Sequence, residues 1–162
     1  MTQLKDLLKD LNACSDAKQW VGDMTIEEAV QKCHRGDWML WLSEKIDIGL
    51  QPLTLAKGHC ANTVRHLMKD ERSTKAVDAA IAFGEGKITI EELHTYANAA
   101  SAASASAAAY ASASAAYAAD ASAYAAYAAA KKENQIMTAD VCRKYIGKLI
   151  IDKVNEIIVK NK

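Results

Sequence analysis

Trp38 and Trp41 stand one helical turn apart, and further along the chain come His59, Asn62, Arg65 and His66, with Arg72 just beyond. Together these residue types suit recognition of a planar anion. An indole face stacks on a flat ring, while guanidinium and imidazole groups donate to phosphate or carboxylate oxygens. A plainer reading is also open, in which both tryptophans are core and Arg65 and Arg72 make surface ion pairs. Other chemistry is poorly served. Cys33-His34 and His59-Cys60 are adjacent pairs, and helical neighbours point about 100° apart, so neither pair is a ready bidentate site. His59 and His66 share a helix face, but zinc needs three or four ligands and no tight spacing supplies them. A Cys–His nucleophile through Cys60 or Cys33 would require tertiary proximity, and a small buried thiol is the plainer role for each. There is no glycine-rich phosphate loop, GxSxG, HExxH or paired-carboxylate motif. The expectation is a protein without catalytic residues, metal or cofactor, and not an enzyme.

The elements that must position these residues read as helices almost throughout. One Pro, seven Gly and one Phe leave little vocabulary for strands and turns. Leu4, Leu7, Leu8 and Leu11 form one stripe, giving a short first helix. Thr25-Ile26-Glu27-Glu28 is a capping box, in which the Thr hydroxyl accepts from the Glu28 amide and Glu28 reaches back. A helix from Ile26 to about His34 follows; Gly36 stops it and Asp37 caps the next, which carries Trp38, Met39, Trp41, Leu42 and Ile46. Gly49 and Pro52 mark a loop. A fourth helix is predicted over Thr54–Met68 and a fifth over Glu71–Phe83, closed by Gly84 and Gly86. Thr89-Ile90-Glu91-Glu92 then repeats the capping box, with Ile88 and Leu93 placed as a hydrophobic staple.

Beyond Thr89 lies the most distinctive stretch. Between Ala97 and Ala130, 22 of 34 residues are Ala, and the rest are Ser, Tyr, one Asn and one Asp. Alanine is the best helix former, so a continuous helix is predicted, about 60 Å long from Ile90 to Ala130. Tyr96, Tyr110, Tyr117 and Tyr124 fall on one heptad position, and Asp120 is the only charge in the Ala97–Ala130 stretch. A helix without a charged face is usually buried on most sides, and small side chains let neighbours approach closely. This helix is therefore read as central or intersubunit, with Ala109, Tyr110, Ala116, Tyr117 and Tyr124 as the expected contacts of a homo-oligomer. A membrane span is disfavoured by Ser, Asp120 and the lack of long apolar side chains. After Lys131-Lys132 a conventional stripe resumes: Val141, Tyr145, Ile146, Leu149, Ile150, Val154 and Ile157; Glu133–Thr138 either breaks the helix or continues it. The expected architecture is an all-α helical bundle around a long Ala/Ser/Tyr-rich central helix. It forms one domain over 1–162, with N-terminal helices in 1–88, the Ala-rich helix in 89–132 and a C-terminal helix in 133–162.

The totals agree with a single domain. Twenty basic and twenty acidic residues cancel, so no global field points to a nucleic acid polymer or a membrane surface. Residues 131–162 carry eight Lys/Arg against four Asp/Glu, a mildly basic end that reads as a solvated helix face. Four scattered cysteines without a CxxC, and an N-terminus that alternates charge with Leu, imply free thiols and a cytoplasmic location.

Trp38-Met39-Leu40-Trp41-Leu42, then Lys57–Asp70 (KGHCANTVRHLMKD), then Glu71–Leu93 leading into the Ala-rich helix, form an ordered pattern. Its elements are Asp-x-Arg, Lys-Ala, Ala-Ala, Phe-x-x-Gly, Ile-Thr and Glu-Glu-Leu, followed by repeated Ala pairs, over most of residues 38–130. In these the chain resembles the immunity proteins of bacterial toxin–immunity systems whose long helix is Ala-rich, a group also borne by phages. The resemblance implies neutralisation by binding, without turnover. Two partners follow from it. A phage-type protein would sequester a small, anionic, nucleotide-derived immune signal; an immunity protein would bind and block a protein toxin. In the first case Trp38, Trp41, His59, Arg65, His66 and Arg72 are expected to contribute to one anion-accepting pocket.

Overall fold

Apolar residues at helical spacing become helices throughout the computed structural model, which describes residues 4–68, 70–99 and 121–160, with side chains given outside 121–130. The order is α1 (Leu4–Asp10), α2 (Ser15–Val21), α3 (Ile26–Lys32), α4 (Gly36–Lys45), α5 (Leu50–Asn62), a 3-10 turn (Arg65–Leu67) and α6 (Glu71–Gly84), then α7 (90–99) and α8 (Ala121–Lys160). The fold is an all-α bundle, with no strand among the described residues. Nor is any described helix long and apolar enough to cross a membrane.

The axis of the described core is α8, whose 40 residues reach about 60 Å. Ala139, Cys142, Ile146, Ile150 and Val154 recur at helical spacing, and all are essentially inaccessible. α1, α3, α4 and α5 pack against this helix. Full burial of each Ile or Val in the stripe contributes about 1.5–3 kcal/mol. The stripe differs in part from the one read in the sequence: Cys142 lies at its centre, Val141 and Tyr145 only flank the core, and Leu149 is 41% exposed. The helix runs unbroken past Lys132 and through Glu133–Thr138. The Ala-rich stretch is described only at its two ends, 97–99 and 121–130. Ala109, Tyr110, Ala116 and Tyr117 lie outside the described residues, and Tyr124 lies outside those with described side chains.

Local signals place most ends. The Thr25 hydroxyl accepts from the Glu28 amide at 3.2 Å while the Glu28 carboxylate accepts from the Thr25 amide at 3.0 Å. Thr89 and Glu92 repeat the arrangement at 3.3 and 2.8 Å. Asp70 caps α6 by accepting from the Arg72 amide at 2.8 Å. Three ends differ from expectation. α4 begins at Gly36, with Arg35 and not Asp37 in the capping position, because Gly36 is pressed against Thr138 of α8, where a Cβ would come within 2.4 Å of the Thr hydroxyl. α5 begins at Leu50, since a proline in the first turn removes an amide that has no intrahelical partner. It ends at Asn62 rather than Met68, because the chain must turn back so that α6 can lie antiparallel against it. Gly58 there meets Ile81 and Ala80, and Gly84 meets Leu55, at distances that leave no room for a side chain without displacement.

Two side chains of α8 reach α3: Asn155 donates to the Glu27 carboxylate at 2.8 Å, and Arg143 holds the end of the helix. Arg143 donates to the carbonyls of Val30 (3.2 Å) and Cys33 (2.5 Å) and pairs with Asp140. A cation there answers the orphan carbonyls and the negative end of the α3 dipole.

Candidate functional site

α1, α2, α3 and α4 line an open-sided cavity of about 470 Å³, to which Ile150 of α8 also contributes. Its walls are chiefly Leu4 and Leu8, Ala17 and Val21, Ile26 and Val30, and Met39 and Leu42. The chain has three tryptophans, and Trp20, Trp38 and Trp41 all line this space. The sequence reading missed Trp20 because it missed α2. The usable signals were Ser15-Asp16 as a helix start, Gly22 as a stop with φ of 51°, and Ala17 and Val21 four residues apart.

Asn12, Cys14 and Asp37 are the exposed members of the lining and mark its solvent-facing side. The rings of Trp20, His34 and Trp38 form a triangle nearby, with centroids 5.8, 6.0 and 6.2 Å apart. The Arg35 guanidinium lies 4.5 Å from the Trp38 ring centre and forks onto Asp37 at 2.8 and 2.6 Å. Those hydrogen bonds hold the Asp37 carboxyl below its usual range and raise Arg35. The pair leaves the rim polar but compensated in charge. Cys33, also in the lining, sits 3.4 Å from the Arg35 carbonyl, and burial pushes its thiol up.

Of the six residues expected to share one pocket, this cavity takes Trp38 and Trp41. The others lie on α5, the 3-10 turn and α6, outside its lining. His59 stacks on Tyr145 of α8, with ring centres 4.1 Å apart and planes 7° from parallel; desolvation lowers its pKa. Arg65 forks onto Asp78 at 2.5 and 2.8 Å, which raises it. Arg72 forks onto Asp70 at 3.1 and 2.8 Å and is raised likewise. His66 is exposed in the 3-10 turn. Both arginines therefore already hold a carboxylate in the two-pronged geometry that a phosphate would need. With α5 ended at Asn62, Arg65 leaves its axis and meets Asp78 of α6, while Arg72 pairs with the residue that caps its own helix.

Among the described residues no thiol–imidazole hydrogen bond is present, and no three His, Cys, Asp or Glu side chains converge as a metal site. No family model, curated protein or solved structure matches the chain.

Proposed function

We propose that this is a non-catalytic binding protein that sequesters a small, largely apolar, ring-bearing molecule in the three-tryptophan cavity. The observation carrying this reading is the cavity itself: 470 Å³, walled by aliphatic and indole groups, within the roughly 300–1,000 Å³ typical of ligand sites. A closed, dry void of that size would cost on the order of 11 kcal/mol at about 24 cal/mol per Å³, comparable with the whole stability of a domain. A void open on one side costs less, but its apolar walls still favour an apolar occupant over water. Neutralisation by holding, without turnover, is also what the resemblance to immunity proteins implies.

The walls favour the ring of a ligand over its charges. A nucleotide-derived signal would place its base well and its phosphates poorly, since Arg35 faces Asp37 and the arginines of the second cluster hold Asp78 and Asp70. Blocking a protein toxin is favoured by a different feature, the exposed Leu67, Ile136 and Met137, near which Asn134 of α8 donates to Thr63 at 3.0 Å. A partner covering them would leave the cavity tryptophans undisturbed. Self-association, proposed from the Ala/Tyr register alone, is tested by Ala109→Lys with Ala116→Lys in sedimentation, where an unchanged oligomer or a monomeric wild type rejects it.

All three tryptophans face one space, so intrinsic fluorescence reports on that space directly. Titration with the neutral dye N-phenylnaphthylamine should quench it saturably at one site per chain, and adenosine should compete better than adenosine monophosphate. No saturable quenching by either would reject the cavity as a ligand site; tighter binding of the phosphate form would restore the nucleotide reading.

A further inference from the structure

Away from the cavity, α4, α5 and α8 meet at a point built around sulfur. Cys60 of α5 and Cys142 of α8 place their Sγ atoms 3.9 Å apart, across 82 residues of sequence. Both are free thiols, Cys142 fully buried and Cys60 8% exposed. The Thr138 carbonyl lies 3.7 Å from the Cys60 sulfur, and the Gly36 carbonyl 3.7 Å from the Cys142 sulfur. The two sulfurs are in direct contact on packed helices, and closing the 3.9 Å gap by about 2 Å brings them to bonding distance.

We propose that Cys60 and Cys142 are a modification site: an oxidisable dithiol that closes to an intramolecular disulfide when a hydroperoxide reaches it. The other two cysteines lack this geometry. Cys14 is exposed, and Cys33 is turned to the Arg35 carbonyl.

The order of events follows from exposure. Cys60, the less deeply buried of the two residues, loses its proton and attacks the peroxide; the S–O bond forms, the O–O bond breaks and water leaves, giving a sulfenic acid. Cys142 then attacks that sulfur; the S–S bond forms, the S–O bond breaks and a second water carries away the Cys142 proton. Two thiols are oxidised by two electrons, and one hydrogen peroxide is reduced to two waters. The hydrogen bond from Cys142 favours the Cys60 thiolate and lowers its pKa, while the same contact and burial raise Cys142. Closure ties the end of α5 to the central helix and is undone by an external thiol. It does not depend on what the cavity binds.

The full-length native chain is treated with hydrogen peroxide, its remaining thiols are alkylated under denaturing conditions, and it is mapped without reduction. The expected result is a linked Cys60–Cys142 peptide, an intact mass lower by about 2 Da before alkylation, alkylated Cys14 and Cys33, and a raised thermal midpoint that dithiothreitol reverses. In Cys142→Ser, Cys60 should be trapped as a sulfenic acid that dimedone captures. If that variant does not fold, the wild-type map still decides. Cys60 and Cys142 both remaining alkylatable while Cys14 oxidises would overturn the proposal. So would a link joining two chains, or one that forms only in denaturant.

Discussion

Replacing Gly36 by Ala should separate the two helices on which the core depends. A Cβ at this position would lie 2.4 Å from the Thr138 hydroxyl oxygen and 2.6 Å from its carbonyl carbon and Cβ. Ordinary contact begins near 3.5 Å, so α4 must retreat by about 1 Å. Neither side can yield by rotation, because the obstacle includes the backbone of the central helix. A gap of that width forfeits a quarter to a half of each dispersion contact across it. Met39 and Ser43 of α4, and Ile46 at its C-terminal cap, are all buried. Overpacking of this kind costs about 1–3 kcal/mol, and a clash between backbones belongs at the upper end. Alanine regains part of the roughly 1 kcal/mol by which it exceeds glycine as a helix former, only part because Gly36 opens the helix. The net loss is about 2 kcal/mol, a fall in melting temperature of about 4–8 °C for a domain of this size. Trp38 and Trp41 ride on α4, so dye binding should weaken with it. Gly58→Ala is the internal comparison: its nearest contacts are the Ile81 Cγ1 at 3.0 Å and the Ile81 amide nitrogen at 3.1 Å, looser than those at Gly36, and its fall should be smaller. A Gly36→Ala protein that melts at or above the wild-type temperature would refute the reasoning.

Arg143→Met keeps the apolar stem but leaves the Val30 and Cys33 carbonyls without their charged donor, a loss of about 1.5–3 kcal/mol visible in the urea midpoint; Arg143→Lys should recover only part, since an ammonium lacks the fork. His59 has a folded pKa depressed by desolvation from its ordinary 6.5, so the folded state favours the neutral ring. Its contribution to stability is complete above that value and is lost as pH falls below it. His59→Phe retains a ring against Tyr145 and should flatten the decline in melting temperature on the acid side of pH 6.5. Arg65→Ala and Arg72→Ala, at exposed pairs, should leave circular dichroism and dye-induced tryptophan quenching unchanged; a loss of quenching in either would bring α6 back into the site.

Several features were legible because their causes lie within one turn of chain. The capping boxes at Thr25 and Thr89 involve partners three residues apart, and the Leu4, Leu7 and Leu8 stripe needs only helical periodicity. The all-α class followed from apolar spacing and from the scarcity of Gly, Pro and Phe. Trp38 and Trp41 could be singled out by type and spacing, but not what they face. That is decided by Trp20, Val30 and Ile150 arriving from three other helices. Arg65 finding Asp78, Arg143 finding the end of α3 and Cys60 finding Cys142 are likewise contacts between elements distant in sequence. The early start of α4, where Gly36 presses against α8, and the early end of α5, where the chain turns back to lay α6 against it, belong to the same class. Periodicity tells a helix which of its faces is apolar. Which neighbour that face meets, and how closely, depends on side-chain volumes on both helices at once, and only the folded chain brings those together.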